Sequence, residues 1–120
     1  MRTVLVIVFA ICVLPTAANA EFRSRETLLE ECAPTSGDAQ YGSKTVACYA
    51  YISGVADTGH LQGQWGSSLR FCLPAGATPK LLRDRLIPRI QSDPKLEGTP
   101  ASFSVLFALA TEFPCKTSEK

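Results

Sequence analysis

Side chains able to do covalent, metal-binding or acid–base chemistry are few in this 120-residue chain. Four cysteines, Cys32, Cys48, Cys72 and Cys115, are widely spaced with no CxxC pair, and His60 is the only histidine. A zinc site needs several Cys or His ligands at close, regular spacing, so that set excludes an ordinary one. A nucleophile with its base would have to be built on His60 beside Asp57, with Ser53, Ser67 or Ser68 as the hydroxyl. No GxSxG elbow supports such an arrangement, and proximity in sequence is not the geometry that a triad requires. Eleven acidic residues are present, yet no pair stands out as the acid and base of a sugar hydrolase. Gly59, Gly63 and Gly66 neither follow a strand nor match a phosphate-binding loop. The chain reads as a non-enzyme with no catalytic residues, no cofactor and no metal.

The cysteines then read as crosslinks, and the N-terminus says where they form. Met1–Ala20 has Arg2 at its head, an apolar run from Val4 to Leu14, and Ala18-Asn19-Ala20 at its end. That is the layout of a cleavable secretory signal peptide. The run stops at Pro15, short of the 20 or so apolar residues of a membrane anchor. Cleavage there removes Cys12 and starts the mature protein at Glu21, as a single domain over residues 21–120 with no membrane anchor. Four cysteines in a short exported chain predict two disulfides. Loss of Arg2 balances the charges, taking the formal net charge from +1 to zero. A neutral domain lacks the positive excess that nucleic acid or an anionic membrane surface attracts.

Helical periodicity supplies the elements that hold these residues. A first helix is expected over about Ser24–Cys32, with Glu26 at its positive end and Leu28, Leu29 and Cys32 on one face. A second runs from about Ser43 to Asp57, with Val46, Tyr49, Ile52 and Ala56 as its stripe and Cys48, Tyr51 and Val55 widening it. So broad an apolar face marks the central helix. Gly54 inside it is expected to let a neighbouring helix approach closely. Thr58–Arg70 shows no clear periodicity and reads as a long loop, the place where function often sits. Thr78-Pro79 and Thr99-Pro100 each offer a Thr N-cap and a Pro at the first helical position. The third helix, Pro79 to about Ser92, carries Leu82, Leu86 and Ile90, and Pro88 is expected to kink or split it. The fourth, Pro100 to about Phe113, is apolar on nearly every side and is either buried or used in self-association. No period-two alternation competes. The class is all-α: a small bundle of four to five short helices stapled by two disulfides.

Four cysteines allow three pairings, and sequence alone does not choose. Adjacency favours Cys32–Cys48, which joins the end of the first helix to the second. An antiparallel third–fourth pair would likewise bring Cys72 to Cys115. On the chain-entropy account the two closures are worth roughly 3 and 4 kcal/mol.

Three short motifs, in order, carry a resemblance: Cys48-x-x-Tyr51-Ile52-x-Gly54, Phe71-Cys72-x-Pro74, and Ala108-Leu109 leading to Phe113-Pro114-Cys115. Asp93-Pro94 and Ala101 fit the same pattern. From about Leu28 to Cys115 the chain resembles the Rap/Tai family, the type VI secretion amidase immunity proteins of Gram-negative bacteria. The resemblance implies a small, helical, disulfide-bonded periplasmic protein, often a homodimer. Its partner would be a secreted peptidoglycan amidase effector whose active site it occludes. The expected contacts lie in Thr58–Arg70: His60, Gln62, Gln64 and Trp65, uncharged groups that direct hydrogen bonds or fill a groove. A general envelope or chaperone-like protein is the alternative, with Phe103, Leu106 and Phe107 as its adhesive surface. A secreted effector ranks last, because type VI cargo typically travels without a cleavable signal.

Overall fold

The structure, a computed structural model, describes residues 22–64 and 68–116. The expected signal peptide and Trp65 lie outside the described residues. The elements are helices α1 (Arg25–Cys32), α2 (Tyr41–Gln64), α3 (Pro79–Ser92) and α4 (Ala101–Glu112), with a single 3-10 turn, Pro94–Leu96, between α3 and α4. Each helix touches the other three.

Local chemistry sets two of the four α-helix starts. Ser24 caps α1 by accepting from the Thr27 N–H, and Thr78 caps α3 by accepting from the Leu81 N–H at 3.1 Å, with Pro79 in the first turn. The expected Thr99 cap on α4 does not form. Pro100 is the cap residue, without a side-chain bond. The Ala101 N–H instead donates to the Arg23 carbonyl at 3.0 Å, in a small antiparallel bridge between Ser24 and Pro100. Thr99 is occupied elsewhere: its hydroxyl donates to the Leu96 carbonyl at 2.8 Å. Its one proton is thereby used, so the buried Ser104 hydroxyl, 2.8 Å away, is the donor to Thr99.

Pro88 neither splits α3 nor ends it. The carbonyl it leaves without an intrahelical donor belongs to Asp84, and both residues lie on the exposed side of the helix. Inward from them, Leu82, Leu86, Ile87 and Ile90 are buried.

The largest revision is the length of α2. Its helix continues through Thr58, Gly59, His60 and Gln62 to Gln64, where a loop was expected. At 24 residues it spans about 36 Å. Its buried ridge is Cys48, Ile52, Ala56 and Gly59, one residue per turn. Val46, assigned to the core stripe, is 67% exposed. The core gathers that ridge with Leu28, Leu86, Ile90, Leu96, Val105 and Leu109, each at most 1% exposed.

The two helical glycines exchange the roles expected of them. Gly54 is exposed, and a Cβ built on it meets nothing within 4 Å. Gly59 is the point of close approach: a Cβ there would overlap the Leu106 side chain of α4 and lie 3.0 Å from the Phe71 ring. Gly54→Ala is therefore expected to stabilise the fold by about 0.5–1 kcal/mol through helix propensity alone. Gly59→Ala gains the same propensity but forces Leu106 and Phe71 to move, and is expected to destabilise by about 1–2 kcal/mol. Urea denaturation of the two variants should give midpoint shifts of opposite sign; shifts of the same sign would contradict the packing described.

Candidate functional site

The α2–α4 crossing leaves a groove of about 490 Å³. Its α2 wall is built from the side chains of Tyr51, Val55 and Gln62, with Ala50, Gly54 and Thr58 keeping the wall low. Ser102 and Leu106 form the α4 wall. The groove is open because the residues at positions 50, 54 and 58 are small and four apart, hence stacked on one face. Thr58 turns its hydroxyl back to the Gly54 carbonyl at 2.9 Å, so its methyl group remains for contact. No lining residue is charged.

The rims differ. Phe103, beside Ser102 on α4, is 43% exposed and stacks on Phe107 with ring centroids 6.2 Å apart. The inward face of α4 is Ala101, Ser104, Val105, Ala108 and Leu109. The Phe103, Leu106 and Phe107 stripe thus lies on the outer side of the helix, with Leu106 and Phe107 half-buried. On the α1 side, the Arg23 guanidinium covers the Tyr51 ring at 4.7 Å and pairs with Glu31 at 3.2 Å. That cation–π contact fixes Tyr51 as a rigid wall.

The expected contact residues part company here. Gln62 lines the groove, whereas His60, exposed two positions earlier on α2, borders a separate small pocket with Arg70, Cys72 and Cys115. A helix turns about 100° per residue, so neighbours two apart face different ways. Gln64 ends α2. Tyr51, Thr58 and Ser102 were not singled out as contacts, although the run Ala50, Gly54, Thr58 was the available signal.

A second cleft, about 470 Å³, has a different character. Its lining includes Tyr41, Arg83, Asp84 and Pro88. Asp84 binds Lys80 at 2.6 Å and Arg83 at 2.7 Å. The Lys80 bond, then the Arg83 bond, holds the Asp84 carboxyl below its usual range. Arg83 in turn lies over the Tyr49 ring at 5.3 Å. Two cations thus share one carboxylate at this cleft, whereas the lining of the α2–α4 groove carries no charge. Among the described residues no group of three or more His, Cys, Asp or Glu is placed to hold a metal, and no helix is long and apolar enough to cross a membrane.

Both disulfides form as adjacency favoured: Cys32–Cys48 and Cys72–Cys115. The described residues thus form a disulfide-stapled four-helix fold with an uncharged groove between α2 and α4. A family model, that of Rap1a immunity proteins, matches residues 24–115, from the cap of α1 to the last cysteine, and the chain belongs to that family. No curated protein and no solved structure matches it.

Proposed function

We propose that this chain protects its cell by binding a peptidoglycan amidase delivered through a type VI secretion system, and by covering that enzyme's active-site cleft in the periplasm. The observation that carries the reading is the Rap1a family match across all four helices. The signal peptide expected at residues 1–20 delivers the mature chain to the compartment where the wall is cut and where disulfides persist. The α2–α4 groove supplies the contact face, with Gln62 on its wall, and Gln64 and Trp65 are the further contacts expected from the sequence. His60 adds a contact on the adjoining side.

Thr58→Arg tests that face. Thr58 is exposed, so the fold tolerates the change, but a cation in an uncharged groove must be desolvated when a partner seats. Affinity for the cognate amidase is expected to fall about 100-fold, read by calorimetry, with unchanged helicity. A joint Gln64→Ala and Trp65→Ala variant should weaken binding as well. Full affinity in both variants would place the interface elsewhere. The partner itself is found by capture from envelope and secreted fractions. Retention of one stoichiometric hydrolase, with its wall-cutting activity lost in the complex, supports immunity. Protection of many unfolded chains supports the envelope chaperone alternative.

A further inference from the structure

The two disulfides occupy different environments. Cys48 is wholly buried and Cys32 is 5% exposed, both within the hydrophobic core. Cys72 is exposed and Cys115 half-buried, and their bridge borders a pocket of about 90 Å³ that also contains His60 and Arg70. A disulfide is opened by a thiolate that must reach one of its sulfurs, so access governs the rate. The pocket supplies access, and the Arg70 guanidinium at its wall favours an approaching anion. Cys32 borders the second cleft, beside Arg83, but it is only 5% exposed there and Cys48 is wholly buried, so attack on that bridge requires the core to open further.

We propose that Cys72–Cys115 is a thiol–disulfide exchange site, reduced selectively in the folded protein by a dithiol. A thiolate of the dithiol attacks the Cys72 sulfur, the S–S bond breaks, and Cys115 leaves as a thiolate that takes up a proton. The second thiol then attacks the sulfur of its own arm in the mixed disulfide and releases Cys72. Two electrons and two protons pass to the protein, and the dithiol becomes a disulfide. The consequence reaches the groove. Cys72 anchors the segment that carries Phe71, which is buried against the Gly59–Leu106 crossing, and Gly59 and Leu106 both line the groove. After reduction, that segment is still held by the Cys72 N–H bond to the Phe113 carbonyl, 2.8 Å, and by Phe71 and Leu73 packed against the core, but it is no longer tied covalently to the end of α4. The bridge is a latch on one end of the groove, while Cys32–Cys48 keeps α1 joined to α2.

The test uses the folded, fully oxidised protein, exposed to dithiothreitol under native conditions. Samples are quenched in acid, alkylated and read peptide by peptide by mass spectrometry. Cys72 and Cys115 should become alkylated about 100-fold sooner than Cys32 and Cys48, with far-ultraviolet dichroism unchanged through that first phase. In concentrated urea the two rates should converge, because the difference belongs to the fold. Equal rates in the native state, earlier reduction of Cys32–Cys48, or a difference that persists in urea would each overturn the proposal.

Discussion

Replacing Cys32 and Cys48 together by alanine is expected to destabilise the protein by about 4 kcal/mol, most of the stability of a domain this size. Two effects combine. The bridge closes a separation of 16 residues between the end of α1 and the first third of α2, and freeing that loop restores roughly 3 kcal/mol of chain entropy to the unfolded state. The sulfurs also fill core volume, since both residues are buried among apolar neighbours, and their removal leaves a cavity worth about 1 kcal/mol more. At 4–8 °C per kcal/mol for a small domain, the melting temperature should fall by roughly 20 °C. A fall of only a few degrees would mean that α1 is held by its other contacts. The outer bridge, Cys72–Cys115, spans 43 residues yet is exposed on one side, so its loss removes constraint without opening the core.

Away from the disulfides, Arg25→Ala is expected to cost about 3 kcal/mol. Arg25 is the first residue of α1 and is only 8% exposed. One terminal nitrogen donates to the Ile90 carbonyl at 2.9 Å and to the Gln91 carbonyl at 3.3 Å. Those are last-turn carbonyls of α3, which have no intrahelical donor and carry the negative end of that helix's dipole. The other terminal nitrogen meets Glu26 at 3.4 Å. Truncation removes a charged donor from carbonyls beside the wholly buried Ile90 and leaves them without it. Arg25→Met keeps much of the apolar stem and isolates the polar part, expected at about 2 kcal/mol. Chemical denaturation of both variants reads these values. An Arg25→Ala loss below about 1 kcal/mol would show that water caps α3 as well as the guanidinium does.

Arg25 also shows what kind of residue resists reading from sequence. A cation in the first turn of a helix opposes the dipole of its own helix. That local conflict was visible, and it marks a residue serving a distant element, but nothing nearby in sequence says which one. Gln62 and His60 make the same point. Both belonged to a stretch whose three glycines suggested a loop, because each glycine disfavours helix by about 1 kcal/mol. Packing overrode that preference: Gly59 is where α4 and Phe71 press against α2, and the contact holds the helix through it. Once the segment is helical, its phase sends Gln62 to the groove and His60 to the pocket beside Cys72.

What the sequence determined by itself is whatever rests on neighbours along the chain. Ser24 and Thr78 cap their helices because a hydroxyl reaches an N–H three residues on. The periodic Leu82, Leu86 and Ile90 face inward because the helix repeat stacks them. The all-α class and the family resemblance follow from spacing of that kind. Tertiary structure alone decided that Gly59 rather than Gly54 marks the crossing, that Thr99 gives up its cap for Leu96 and Ser104, and that α3 ends on Arg25. Each of those depends on where one helix meets another. The meeting point is set by the summed packing of many side chains, which no short window of sequence contains.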